Sequence, residues 1–227
     1  MALATPLGSP AFAQQAAPAA TAMTPAQIAA FNKAVSDFTA GQTAQQAGDN
    51  AAAAAKYEAA LPAIRTAVQS DPAKFDNVNF LANALYADAA AQGALGQMDK
   101  VIALYSESVP HWRTIVAAKP ADGTSRDILA GILIQMGNQK LGAQDKAGAD
   151  PLYQEALTLA RKSVAEKASD PIAKNLLLSA LIGKSQTGAD PAVKTEAVAM
   201  GKAMIADGSI DPVHKPASDV MTGGKAG

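Results

Sequence analysis

ALPAIRTAV (residues 60–68) recurs in altered form as SVPHWRTIV (residues 108–116) and again as ALTLARKSV (residues 156–164), each copy 48 residues after the one before. The three stretches share, in order, a small residue, an apolar residue, an arginine and a valine. The same spacing aligns three columns of identical residues: Tyr57, Tyr105 and Tyr153; Arg65, Arg113 and Arg161; Val68, Val116 and Val164. Identical residues at a fixed period predict tandem copies of one structural unit.

Helix-start signals divide each unit into two helices. Thr24, followed by Pro25 and Gln27, predicts a capping box at the start of the first helix. Gly48 breaks that helix, and Asp49 or Asn50 offers the next N-cap. Apolar residues recur at helical spacing between these signals. The sequence therefore predicts an all-α fold, an α-α superhelix of tandem helical hairpins with about eight helices.

The predicted helical domain covers residues 24–206, and residues 207–227 are predicted to be a disordered tail. Three Asp-Pro pairs, at residues 150–151, 170–171 and 190–191, predict further helix starts. The last unit is shorter and lacks the tyrosine and the arginine, which suits the capping unit of an array. The units are predicted at about 24–72, 73–120, 121–170 and 171–206 and are called units one to four.

Composition narrows the class of partner. The chain has 19 basic and 20 acidic residues, a net charge of -1, and its lysines are dispersed. Nucleic acid usually requires a concentrated basic patch, so it is not a predicted partner. No run of about 20 apolar residues occurs, so no transmembrane segment is predicted. The chain has no cysteine, which excludes disulfides and thiolate chemistry.

The amino-terminal residues 1–23 are predicted to be an export-signal remnant and a flexible linker. Ala11-Phe12-Ala13 is the small-x-small pattern that signal peptidase reads, which predicts cleavage after Ala13 and a periplasmic or secreted protein. The preceding residues are too short for a full signal and contain no lysine or arginine, so the start of the signal would be missing. The alternative is an Ala/Pro-rich leader that merely contains this pattern, on a cytoplasmic protein.

A small residue in each first helix and a small-aromatic-small pattern in each second helix characterise the units. The pattern is carried in unit one by Gly41, Gly48, Ala53, Tyr57, Ala60 and Leu61, and in unit three by Ala149, Tyr153, Ala156 and Leu157. In these positions the chain resembles the tetratricopeptide repeat (TPR) family. It departs from that family in length, since its unit is 48 residues long against about 34.

The resemblance implies a ligand groove lined by the first helices. The residues it indicates are neutral or apolar, so the predicted ligand is an apolar or amide-rich segment. The alternative is that these side chains only pack between units. They are Phe38, Gln42 and Gln45 in unit one, Tyr86 and Ala90 in unit two, and Ile134, Asn138 and Leu141 in unit three.

The arginine column, Arg65, Arg113 and Arg161, has two interpretations. It is either a ladder of guanidinium groups that grips a carboxylate or phosphate of a partner, or a structural feature. In the structural case each stem covers the edge of the core and each head pairs with an acid on an adjacent helix. Asp37 and Asp88 are the acids considered as mates.

The His111-Trp112-Arg113 cluster is interpreted as packing and not as an active site. Trp112 falls in the column of Ile64 and Ala160, which indicates a bulky core side chain. Pro110 would start a helix segment or kink a longer helix. The sequence contains no recognisable catalytic, phosphate-binding or metal-binding motif, so neither an enzyme nor a cofactor is predicted.

These observations predict a non-enzymatic scaffold of the cell envelope that binds a protein or peptide partner. Two alternatives stay open: a self-assembling structural component, and a helical domain that binds a small molecule. A deep pocket with convergent polar groups would favour the small-molecule alternative.

Overall fold

The computed structural model describes residues 20–188, 190–221 and 223. Over these residues the protein is all-helical, and each helix packs against its neighbours in the chain. The predicted all-α fold of tandem hairpins is confirmed. Within the described ranges there are nine helices: α1 (Pro25–Gln46), α2 (Asn50–Ser70), α3 (Phe75–Ala94), α4 (Met98–Ala118), α5 (Gly123–Gly142), α6 (Lys146–Glu166), α7 (Pro171–Thr187), α8 (Pro191–Ala206) and α9 (Lys215–Met221).

The helix bounds repeat with the period of the sequence. The second helices of the first three hairpins, α2, α4 and α6, begin at residues 50, 98 and 146 and end at residues 70, 118 and 166. The first helices α1, α3 and α5 end at residues 46, 94 and 142. Both sets are spaced by 48 residues. The fourth hairpin is shorter, with helices of 17 and 16 residues.

The turn inside each of the first three hairpins has a left-handed backbone. Gly48 and Gly96 have φ angles of 80° and 74°, which glycine adopts without the clash that a Cβ would cause. In unit three the same position is Gln144, with a φ of 62°. The turn geometry is thus kept even where the glycine is lost.

Helix capping confirms four of the predicted starts and corrects a fifth. The Asp-Pro pairs at residues 170–171 and 190–191 begin α7 and α8, with the aspartate as the cap in each case. The Thr24–Gln27 capping box forms, and Asp49 caps α2 by accepting from the backbone N–H of Ala52 at 2.9 Å. The predicted start at Asp150-Pro151 is wrong. The helix α6 begins at Lys146, and its cap is Asp145, which accepts from the N–H of Gly148 at 2.8 Å. Asp145 lies two periods of 48 residues after Asp49, at the same place in the repeat.

Tyrosines of the second helices lie directly against glycines of the first helices. A Cβ built on Gly41 would lie 2.6 Å from Cε1 of Tyr57, and one built on Gly137 would lie 2.9 Å from Cε1 of Tyr153. Tyr153 also fills the space in front of Gly183, on the next hairpin. The column of Gly41 and Gly137 therefore holds small residues, because a tyrosine ring occupies the space that a larger side chain would need.

Unit two packs its tyrosine differently. Ala89 stands in the glycine column, and Tyr105 is only partly buried. Its ring stacks on Tyr86 with centroids 6.3 Å apart, and Tyr86 in turn meets the edge of Trp112 at 6.2 Å. Trp112 is 1% exposed and belongs to the main core cluster. The interpretation of Trp112 as a packing residue is confirmed.

Within residues 207–227, the predicted disordered tail, the structure contains a further helix. Residues 215–221 form α9, and Ser218 is buried against Gly201 of α8. The helical domain therefore continues beyond residue 206. A glycine on α8 permits this contact, because a Cβ there would lie 3.2 Å from the Ser218 Cβ.

The predicted cleavage site after Ala13 lies outside the described residues. From the predicted linker, residues 20–23 are described, and the N–H of Thr21 donates to the carbonyl of Ser70 at 2.7 Å. None of the helices in the described part of the chain combines the length and the apolarity that a bilayer crossing needs.

We expect Gly137→Ala to destabilise the fold by about 1 to 3 kcal/mol, because the new methyl group would overlap the Tyr153 ring. Gly142→Ala is the matched control on the same helix, since no atom lies within 4 Å of its added Cβ. Urea unfolding of the two variants and the wild type measures the difference. Equal stability of both variants would contradict the close contact.

Candidate functional site

A groove lies between α5 and α7. It consists of two adjoining pockets of about 360 and 400 Å³ that share Gly131 and Leu176. Tyr86 closes the groove on the α3 side, and the segment at Val213 and His214 closes it at the other end. We call this cavity the α5–α7 groove.

The groove is open because Gly131 has no side chain. The neighbouring units carry Asn83 and Ser179 at the same place in the repeat. A Cβ on Gly131 would meet only Cδ2 of Leu176, at an ordinary 3.8 Å. Packing therefore does not require a glycine here, in contrast to Gly137. The missing side chain leaves room in the middle of the groove.

A segment of the chain itself borders one end of the groove: His214 lines the groove, and Ser209 and Asp211 line the adjoining pocket with Asn175. The side-chain amide of Asn175 donates to the carbonyl of Ser209 at 3.1 Å, and its oxygen accepts from the N–H of Asp211 at 2.8 Å. Nε2 of His214 lies 2.8 Å from the Ser179 hydroxyl. Burial lowers the pKa of His214, against the opposing charge of Asp211, so His214 is neutral at pH 7.

The structure places some of the predicted groove residues in the groove and others elsewhere. Tyr86, Ile134 and Asn138 line it. The other side chains in this prediction lie outside it: Phe38 packs between Tyr57 and Phe80, Gln45 accepts from the Tyr57 hydroxyl at 2.8 Å, Leu141 packs on the core, and Gln42 and Ala90 are exposed. Asn138 has a second contact, because it accepts from the Tyr153 hydroxyl at 2.6 Å.

Each arginine of the repeated column pairs with a glutamate of the next hairpin. Arg65 binds Glu107 through two nitrogens at 2.6 and 2.8 Å, and Arg113 binds Glu155 in the same way at 2.9 and 2.6 Å. The last arginine binds a glutamate of the shorter fourth hairpin, Arg161 to Glu196. The glutamates at 107 and 155 are themselves one repeat apart.

The pairing acids are not the ones that the sequence analysis considered. Asp37 binds Lys33 and Lys56, and Asp88 accepts from Gln92. In unit one the glutamate column holds Ala59. The contacts favour the structural interpretation of the arginine column, because the forked face of each guanidinium is turned to a glutamate of its own chain.

We expect the Arg113–Glu155 pair to contribute little to stability. Both side chains are partly in water, at 50% and 32% exposure, and solvent screens such pairs. A double-mutant cycle of Arg113→Ala and Glu155→Ala should give a coupling free energy of about 0.5 to 1 kcal/mol, reduced in 1 M salt. A coupling several times larger, or one insensitive to salt, would contradict this.

Sequence reasoning missed Arg126, which is 1% exposed inside unit three. Its guanidinium donates to the Ser163 hydroxyl at 2.9 Å, to the Pro120 carbonyl at 3.2 Å, and to Glu166. In unit two the columns of Arg126 and Ser163 hold Val78 and Ile115, both buried. The sequence signal for this contact was that both columns change together, from apolar residues in unit two to polar residues in unit three.

Sequence reasoning also missed a second cavity, of about 280 Å³, between α2 and α4. Asp88 of α3 lies at its floor and is 1% exposed. Glu58, Lys100, Arg65 and Glu107 are its other charged residues. We call it the Asp88 cleft. Burial raises the pKa of Asp88 to about 6, although the hydrogen bond from Gln92 acts in the opposite direction.

The raised pKa of Asp88 predicts a specific pH dependence. The folded protein holds the proton up to about pH 6, whereas the unfolded chain releases it near pH 4, so this carboxyl costs stability as the pH rises between those values. We expect Asp88→Asn to raise the free energy of unfolding by about 2 kcal/mol at pH 7 and by little at pH 4.

Urea unfolding at both pH values checks the Asp88→Asn prediction. Asp99→Asn, which changes an exposed carboxyl on α4, is the control and should give the same small difference at each pH. If the stability gain of Asp88→Asn were the same at pH 4 and pH 7, the buried carboxyl would not titrate as described.

Comparison with known proteins yields no relative: no protein-family model matches the chain, and no curated protein matches it. The TPR resemblance therefore stays a prediction. Among the described residues, no three His, Asp or Glu side chains lie close enough together to hold a metal ion.

Proposed function

We propose that the chain is a non-enzymatic, TPR-like helical-repeat scaffold that binds a protein or peptide partner in the α5–α7 groove. The observation that carries this proposal is the contact between Asn175 and the segment after α8, in a pocket that adjoins the groove at Leu176, Ser179 and His214. Both polar atoms of one side-chain amide bind backbone groups two residues apart, at Ser209 and Asp211. A surface that binds the backbone of its own chain in this way can bind a partner's backbone by the same chemistry.

The column of Asn175 extends this chemistry toward α3. The equivalent residues are Asp127 and Asn79, both of which carry a side-chain oxygen that can accept from an N–H. Asp127 lines the groove beside Tyr86 and Ile128, and its carboxylate accepts from Ser163. A partner segment lying along the groove would meet Asp127 directly and would reach Asn175 where the adjoining pocket begins.

The lining of the groove indicates the composition of the partner segment. At the centre are Gln135, Asn138 and Ser179, which are neutral, together with Ile134 and Leu176, which are apolar. Neutral amides and hydroxyls pair with backbone and amide groups, and apolar walls take apolar side chains. We propose an apolar or amide-rich segment as the ligand.

We place this scaffold in the cell envelope. The support is the Ala11-Phe12-Ala13 pattern alone, and it lies outside the described residues. Amino-terminal sequencing of the protein purified from its native host tests this part of the proposal, because processed chains would begin at Gln14.

Selection from a random peptide display library on the full-length chain tests the groove. We expect Gly131→Leu to weaken the selected peptides at least about tenfold, because its side chain would fill the junction of the two pockets. Gly142→Leu adds the same side chain at an exposed position of the same helix and should leave binding unchanged.

Both variants should keep the helical circular dichroism of the wild type. Peptides that bind Gly131→Leu and the wild type equally would move the site away from the groove. If no peptide is enriched on the wild type, the proposal of a peptide-binding scaffold fails.

A further inference from the structure

The Asp88 cleft departs from the repeat at three charged positions. The equivalent positions one unit later lie between α4 and α6. They hold a serine, a methionine and a glycine, none of which is charged. The pairs are Glu58 and Ser106, Asp88 and Met136, and Lys100 and Gly148. The arginine and glutamate columns are the same in both places, with Arg65 and Glu107 matched by Arg113 and Glu155. Glu58 and Lys100 bind each other across the two hairpins, so Asp88 is the extra charge that the stacking of hairpins does not explain.

Asp88 is the carboxylate of this cleft that makes no ion pair among the described residues, although Lys100 and Arg65, each paired with a glutamate, lie near enough for their charges to act on it. One carboxylate oxygen of Asp88 accepts from the side-chain nitrogen of Gln92 at 3.2 Å. The same nitrogen also donates to Glu58 at 2.9 Å. Lys100 binds Glu58 at 2.8 Å, and Arg65 binds Glu107. Among the described residues, no lysine or arginine makes an ion pair with Asp88.

The cleft therefore has an excess of one negative charge when Asp88 is ionised, since three carboxylates face two cations. A buried carboxylate is costly unless a cation or several donors reach it. At neutral pH Asp88 is ionised, because its pKa is raised only to about 6. One additional cation would balance the charges of the cleft.

The shape and the walls of the cleft select the kind of cation. Leu61 and Leu104 line it beside the charges, and its volume of about 280 Å³ accommodates a short alkyl chain. A divalent metal ion requires about six oxygen ligands, whereas the carboxylates of Glu58 and Glu107 are already paired. An ammonium group is compact and has three donors, which suits a single buried carboxylate.

We propose that the Asp88 cleft binds a primary alkylammonium group, with Asp88 as its counter-ion and with Leu61 and Leu104 against the alkyl chain. The group could belong to a free aliphatic amine or to a lysine side chain of a partner protein, since the chemistry is the same. The site is separate from the α5–α7 groove, so it does not depend on the function proposed for that groove.

Titration of the full-length chain with n-butylammonium chloride tests this site by NMR, with the side-chain amide of Gln92 as the probe. We expect saturable shifts of that amide, and no saturable shift with n-butanol, which has the same alkyl chain without the charge. A blocked pentapeptide with a central lysine tests the second source. Tighter binding of n-butylammonium would indicate a free amine as the ligand. Tighter binding of the pentapeptide would indicate a lysine side chain.

Asp88→Met should reduce the affinity for the amine at least about tenfold. It copies Met136 of the next unit, so the fold accommodates it. Asp99→Asn, which changes an exposed carboxyl on α4, should bind like the wild type.

Since an ionised Asp88 is required, the affinity for the amine should fall about tenfold between pH 7 and pH 5. Glu58, Lys100, Arg65, Glu107 and Tyr57 also face Asp88, and Asp88→Met retains all of them.

Two results would overturn the proposal. One is the absence of saturable binding for both the amine and the lysine peptide. The other is binding that Asp88→Met leaves unchanged while its circular dichroism matches the wild type. Neither result bears on the α5–α7 groove, because peptide selection and the Gly131→Leu variant test that groove by a different measurement.

Discussion

The approach of a tyrosine ring to a glycine sets the spacing of the helices on which the rest of the structure depends. Tyr153 fills the space in front of both Gly137 and Gly183, so one ring fixes α6 against the first helix of its own hairpin and that of the next. Tyr57 packs on Gly41 in the same way. Protein interiors are close-packed, so a side chain at any of these glycines would push the helices apart. The position of α7 relative to α5, and with it the width of the groove, follows from this contact.

A second set of contacts repeats on the outside of the array. Each arginine of the column binds a glutamate of the following hairpin, as Arg65 does with Glu107. These pairs are partly exposed, so they contribute to the register between hairpins more than to the free energy of folding. The arginine column is thus explained by contacts between successive hairpins.

The two candidate sites both lie where the chain departs from its own repeat. Gly131 replaces a polar side chain and opens the α5–α7 groove, and Asp88 replaces a methionine and brings a carboxylate into the core. A position that breaks the repeat without improving the packing is where function is to be sought. By contrast, Arg126 and Ser163 also break the repeat, yet their hydrogen bonds are satisfied within unit three. They stabilise one hairpin and leave nothing for a ligand.

The all-helical class, the period of 48 residues, the turn glycines and the buried Trp112 can be inferred from the chain alone. These features rest on signals a few residues apart, or on residue types that recur at one spacing. The partners of Arg65 and Asp88, the start of α6 and the packing of α9 on α8 emerge only in three dimensions. They depend on how helices tens of residues apart are rotated and stacked, and many side chains on the same helical face are compatible with the same local pattern.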